Sequence, residues 1–127
     1  MKSRNPIRLG MVGGGKGAFI GEVHRAASKL DGKYILCAGA LSSDPRKSIA
    51  SGKELGLDED RIYETFEDMI LKESRRDDSI EAVSIVTPNN THFPIAQCCL
   101  DAGLHVICDK PFTLTSAQAD QLIEKAR

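Results

Sequence analysis

Four short groups of residues in this 127-residue chain carry functional groups at spacings that could do chemistry. The first is Gly13-Gly14-Gly15-Lys16-Gly17-Ala18, which fits the pattern G-x-G-x-x-A. Where such a run joins a strand to a helix, backbone N–H groups and the positive end of the helix dipole meet at one point. That point is a seat for a pyrophosphate. The small residues supply a tight turn, a close approach of backbone to phosphate, and close packing of helix on strand, the last role falling to Ala18. Residues 10–16 also fit the G-x-x-x-x-G-K of a nucleoside-triphosphate loop. Gly17, however, stands where the magnesium-binding Ser or Thr belongs, and Gly10 falls inside the expected strand.

The second group, Ser42-Ser43-Asp44 with Arg46 and Lys47, follows another apolar run. An acidic residue at such a strand tip accepts hydrogen bonds from an adenine ribose, whereas Ser and Arg side chains hold a 2′-phosphate. Asp44 also reads as the N-cap of a helix opened by Pro45, so the choice between NAD and NADP stays open. The third group is Thr87-Pro88-Asn89, with His92 close behind. Pro88 stops a strand there, and Asn90 or Thr91 can cap the next helix. The fourth is Asp109-Lys110-Pro111, where a lysine at a strand end can orient a carbonyl or hydroxyl and share in proton transfer.

Apolar periodicity places these groups. Strands are expected at 7–12, 34–41, 61–63, 81–86 and 104–108, and helices at about 19–29, 45–55, 66–75, 93–102 and 115–127. The first helix shows an apolar stripe of Phe19, Ile20, Val23, Ala26, Ala27 and Leu30. Its neighbours, the runs at 34–41 and 104–108, are almost unbroken apolar stretches, the pattern of strands buried on both faces of a parallel sheet. Strict alternation of strand and helix predicts an α/β fold, a doubly wound parallel sheet in a single domain. Ligands bind such sheets beyond the carboxyl ends of the strands. All four chemical groups fall at those ends.

Composition narrows the function classes. With 17 Lys and Arg against 18 Asp and Glu, the net charge of −1 builds no field for nucleic acid or an anionic membrane. No apolar run approaches the roughly 18 residues that span a bilayer. The first residues, Met1 to Ile7, lack an apolar leader, so a cytoplasmic location is expected. Cys37, Cys98, Cys99 and Cys108 form no C-x-x-C pair. They read as buried or half-buried thiols of a reducing compartment, and no metal site is expected.

The ordered set of motifs, with the glycine loop running on through Phe19-Ile20-Gly21 to His24-Arg25, resembles the N-terminal domain of the glucose-fructose oxidoreductase / inositol dehydrogenase / rhizopine catabolism (Gfo/Idh/MocA) family. The resemblance implies a Rossmann-type fold that binds NAD or NADP across residues 1–127. It implies a hydride transfer to or from a hydroxyl or carbonyl of a sugar- or cyclitol-like small-molecule substrate. By that resemblance Gly13, Gly15 and Ala18 carry the pyrophosphate loop, Gly14, Lys16, Gly17, Phe19 and Ile20 are cofactor-binding candidates beside them, and Ser42, Ser43, Asp44 and Arg46 stay candidates for the adenine ribose or a 2′-phosphate. Thr87, Pro88, Asn89 and His92 border the nicotinamide half, and Lys110 matches the catalytic lysine of the family's Glu-Lys-Pro motif. Asp109 replaces the usual glutamate. Family enzymes carry a second, substrate-binding domain after this point, so a truncated form inactive alone is expected, homo-oligomeric when full length. A stand-alone module that senses a dinucleotide without catalysis is the alternative.

Overall fold

The computed structural model describes residues 5–127; residues 1–4, part of the segment read above for a leader, lie outside it. The chain alternates β1 (Ile7–Gly13), α1 (Phe19–Lys29), β2 (Tyr34–Ala40), α2 (Pro45–Glu54), α3 (Phe66–Glu73), β3 (Ala82–Val86), α4 (His92–Asp101), β4 (His105–Cys108) and α5 (Ser116–Ala126), with single 3-10 turns at Glu59–Arg61 and Asn89–Thr91. The four strands form one parallel sheet in the order β2-β1-β3-β4. The chain thus winds outward one way from β1 and the other way from β3. Their carboxyl ends meet where Gly13 pairs with Val86, at the reversal point where such folds bind ligands. The α/β, Rossmann-type expectation holds in a single small domain.

Two apolar layers flank the sheet. Beneath α3, α4 and α5 lie Val12, Ala38, Ala40, Val83 and Ile85 from the strands, with Met69, Ile70, Ile95, Ala96, Cys99 and Leu122 from the helices. On the opposite face Met11, Leu41, Leu57 and Ile62 form a smaller cluster. Side-chain oxygens of Asp44, Thr65 and Thr115 cap α2, α3 and α5, as the sequence signals require.

One expected strand is absent. Residues 61–63 make a single parallel bridge, Gly39 to Ile62, beside β2. The reason is that Thr65 caps α3 at once, while Arg61 turns inward. Its guanidinium donates to Glu73 through Nε at 3.1 Å and Nη2 at 2.6 Å. Glu73 also accepts from Tyr63 Oη at 2.7 Å and from the Ile80 amide at 3.2 Å, so its carboxylate is fully used. Arg61 and Glu73 are 5% and 1% exposed, and this buried pair fastens the segment in place of a ladder.

A second departure concerns α1. Its apolar stripe turns away from the sheet, leaving Phe19 74% and Leu30 83% exposed. Gly21, His24, Arg25 and Ser28 face inward instead. A β-carbon on Gly21 would stand 2.4 Å from Gly14 Cα, so only glycine allows this helix to lie so close to the loop. The inward polar groups are satisfied, with His24 Nδ1 2.7 Å from Ser84 Oγ and Arg25 Nη1 donating to Gly14 O at 2.7 Å.

Candidate functional site

The glycine loop leaves β1 with Gly13 and Gly14 at φ of +82° and +77°, a conformation that side chains with a β-carbon rarely adopt. This reverses the chain toward β2, where the Gly15 amide donates to Leu41 O at 2.9 Å and the Lys16 amide to Ser51 Oγ at 2.9 Å. A β-carbon on Gly15 would stand 2.7 Å from Leu41 O. The loop is therefore pressed against the second strand as well as the first. Arg25, from inside α1, fixes the Gly14 carbonyl. Ala18 is the N-cap residue of α1 and offers no side-chain acceptor. The first-turn amides of α1 are thus left free of any side-chain cap, in contrast to α2, α3 and α5.

A cleft of about 610 Å³ opens over these strand ends, within the range of ligand sites. Gly13, Gly14, Gly15, Lys16, Gly17 and Ala18 line it, as do Ser42, Ser43, Thr87 and Pro88. Three of the four groups read from the sequence therefore meet in one space. Asp44 and Arg46 are not in the lining. The Asp44 carboxylate accepts from the Arg46 amide at 3.0 Å as the cap of α2, and of this group's basic residues it is Lys47 that lines the cleft. Phe19 and Ile20 likewise lie outside the lining; Phe19 turns outward, 74% exposed, and Ile20 is half-buried.

The third group folds differently from a simple cap. Thr91 makes no side-chain cap to α4; its hydroxyl lies 2.6 Å from both Thr87 Oγ1 and Pro88 O. This closes a tight 3-10 turn over Asn89, which is exposed and outside the lining. His92 is 0% exposed. Its Nδ1 lies 2.7 Å from Pro111 O and its Nε2 2.8 Å from Thr87 O, so both ring nitrogens are engaged with backbone carbonyls. Lys110 is exposed and is not part of the cleft's lining. Asp109 is part-buried, its Oδ1 3.7 Å from His24 Nε2.

Several residues that shape this region carry no motif. Glu64, Thr65, Phe66 and Glu67 line the cleft from the start of α3, yet in sequence they read only as a helix start. Ser51 lies in mid-helix, and Gly21 performs the close packing expected of Ala18. The fingerprint is in effect lengthened by three residues before its last small position. Ser48 Oγ accepts from the Leu41 amide at 3.0 Å and donates to Tyr63 O at 2.8 Å, pinning the tip of β2. The thiols stand apart from this chemistry. Burial pushes Cys99 up to about 12 and Cys108 up to about 11, which keeps both protonated near neutral pH. Among the described residues, no three His, Cys, Asp or Glu gather where a metal could bind.

Comparison with known proteins places these features. The family model described as oxidoreductase family, NAD-binding Rossmann fold, matches residues 7–127. An uncharacterized oxidoreductase of Bacillus subtilis (strain 168), YfiI, is 42% identical over 118 residues, which is 92% of this chain and 30% of that protein. Myo-inositol 2-dehydrogenase of Thermotoga maritima is 29% identical over 121 residues, covering 95% of this chain and 33% of the enzyme. The crystal structure of an inositol dehydrogenase homolog from Azotobacter vinelandii, complexed with NADH and myo-inositol, superposes with a TM-score of 0.94 at 45% identity. It covers 96% of this chain and 32% of its own. The chain spans about a third of the length of the relatives it matches.

Proposed function

The chain belongs to the Gfo/Idh/MocA oxidoreductase family through its NAD-binding Rossmann domain, and from that premise we propose how its cleft serves a nicotinamide dinucleotide. Bound there, the cofactor supplies hydride transfer to or from a hydroxyl or carbonyl of a sugar- or cyclitol-like substrate. The observation that carries the reading is the loop of Gly13, Gly14 and Gly15. A β-carbon at Gly15 would strike Leu41 O at 2.7 Å, and beside it the first turn of α1 lacks a side-chain cap. The Gly15, Lys16 and Ala18 amides are spent on Leu41 O, Ser51 Oγ and Gly15 O, so the loop sets the shape of the cradle while the uncapped first-turn amides of α1, at the positive end of a helix dipole, offer the donors that suit a pyrophosphate.

In this proposal Gly13, Gly14, Gly15, Lys16, Gly17 and Ala18, with the amides of Phe19 and Ile20, hold the pyrophosphate. Ser42 and Ser43 face the adenine ribose, helped by Lys47, while Asp44 and Arg46 shape the strand tip from behind. Thr87, Pro88 and Asn89 border the nicotinamide half. Lys110 orients the substrate oxygen and shares its proton. His92 contributes by holding backbone, since neither ring nitrogen is free. A second domain supplies the rest of the substrate site. The relatives' further two thirds of length and the outward apolar side of α1, with Phe19, Val23 and Leu30 exposed, support its packing here. The chain by itself is then a cofactor-binding unit without turnover. NAD reduction by this chain alone with a cyclitol would overturn that part.

Thermal unfolding with NAD, NADH, NADP and NADPH tests the cofactor reading and ranks the four. A ligand at a hundred times its dissociation constant stabilises by about 2.7 kcal/mol, which is readily seen. Gly15→Val should abolish binding in calorimetry, and undiminished binding would remove the cradle from the function.

A further inference from the structure

We infer that His24 and His92 are positioning residues that grip residues 109–111 from two sides and thereby fix the point from which Lys110 reaches the site. The inference rests on the cofactor-site reading above. A lysine side chain has a flexible four-carbon stem with many accessible rotamers. On an exposed residue such as Lys110, the backbone that launches the stem does most of the aiming. That backbone is tied to β3 just before the lysine, where the Asp109 amide donates to Ile85 O at 3.0 Å, and the two histidines act on the residues to either side of it. After it, Pro111 O lies 2.7 Å from His92 Nδ1, and the same ring's Nε2 lies 2.8 Å from Thr87 O at the end of β3. Before it, Asp109 Oδ1 lies 3.7 Å from His24 Nε2, and that ring's Nδ1 lies 2.7 Å from the buried Ser84 Oγ, also on β3.

The two grips share a plan. His92 opens α4 and His24 stands in the middle of α1; each sets one nitrogen against β3 or its end, and of the other two, that of His92 bonds the lysine loop while that of His24 faces the Asp109 carboxylate at 3.7 Å. His24 sits on the helix that continues the glycine loop, so the pyrophosphate cradle and the lysine loop are tied through one side chain. His92 is wholly buried and has no nitrogen to offer a ligand or a proton-transfer partner. Its chemistry is spent on holding two backbone segments in register. His105, the remaining histidine, is exposed on β4 and takes no part.

Amide substitutions separate the two halves of the His92 grip. Asparagine places its amide near the position of Nδ1 and keeps a donor for Pro111 O, whereas glutamine reaches the position of Nε2 and keeps the link to Thr87 O. A merely structural role would make His92→Asn and His92→Gln alike. The test uses the chain with 13C-dimethylated lysines, the Lys110 signal being identified from Lys110→Arg, and NADH as the probe. NADH affinity is followed by fluorescence, and folding by thermal unfolding. In the wild-type chain and His92→Asn, saturating NADH should shift the Lys110 resonance. In His92→Gln and in the more tolerant His24→Ala, NADH should bind within about threefold of wild type while the Lys110 resonance stays at its free position. An equal Lys110 shift in all four proteins overturns the grip. NADH binding to wild type with no Lys110 shift overturns the link between the loop and the site. Absence of NADH binding to wild type is a different failure, that of the cofactor reading itself, and takes the inference with it.

Discussion

Replacing Gly21 by alanine probes the closest approach between α1 and the glycine loop. A β-carbon there would stand 2.4 Å from Gly14 Cα and 2.9 Å from Gly14 O, both backbone atoms that cannot swing aside. Non-bonded carbons rest at about 3.5–4.0 Å, so helix and loop must part by about 1 Å. Overpacking costs about 1–3 kcal/mol, and the exchange of Gly for Ala in a helix returns about 1 kcal/mol. Because the clash is with backbone, the upper end applies and a net loss of about 2 kcal/mol is expected. For a chain of this length that lowers Tm by about 6–10 °C. The same displacement pulls Arg25 off the Gly14 carbonyl, now 2.7 Å away, and tilts the cradle. NADH affinity should fall by about tenfold, or about 1.4 kcal/mol. Thermal unfolding and a fluorescence titration measure the two effects. Ala18→Gly is the control, expected to change stability by less than about 0.5 kcal/mol. Unchanged Tm and NADH affinity in Gly21→Ala, or a larger loss in Ala18→Gly, would refute the assignment of the close packing to Gly21.

Other expectations follow from the buried groups. Glu73→Gln leaves the Arg61 guanidinium with only the more exposed Asp78 carboxylate, 3.4 Å from Nη1, and should cost about 3 kcal/mol in urea unfolding; a loss under about 1 kcal/mol would show that the pair is dispensable. In the native chain at pH 8, Ellman's reagent should titrate no thiol beyond Cys37, Cys98 and Cys108, with buried Cys99 appearing only in denaturant. Burial raises Cys99 from 9.0 to about 12, so its unfolded form ionises first. The stability it contributes is complete below about pH 9 and is lost as pH rises toward 12. The urea midpoint should therefore fall above pH 9, less steeply in Cys99→Ala, with Cys108 adding a smaller part. An equal slope in both proteins would contradict the burial argument.

The sequence alone determined the alternation of strand and helix, the parallel sheet, and the placement of the glycine loop, Ser42, Ser43, Thr87 and Pro88 at one edge of it. These follow from local rules of periodicity, turn chemistry and capping, which act between residues close in the chain. It erred at residues 61–63, where three β-prone residues are too few for a ladder and the inward turn of Arg61 depends on Glu73, twelve positions away. Only the tertiary structure decided which side of α1 meets the sheet. Periodicity shows that Phe19, Val23 and Leu30 share a side, but the inward side is chosen by the approach of Gly21 to Gly14. Nor could spacing reveal that His92 is buried between Thr87 and Pro111, or that Ser51 and the start of α3 belong to the cleft. Those partners are brought together by strand order, and the energy of each contact exists only once the sheet has set the distance.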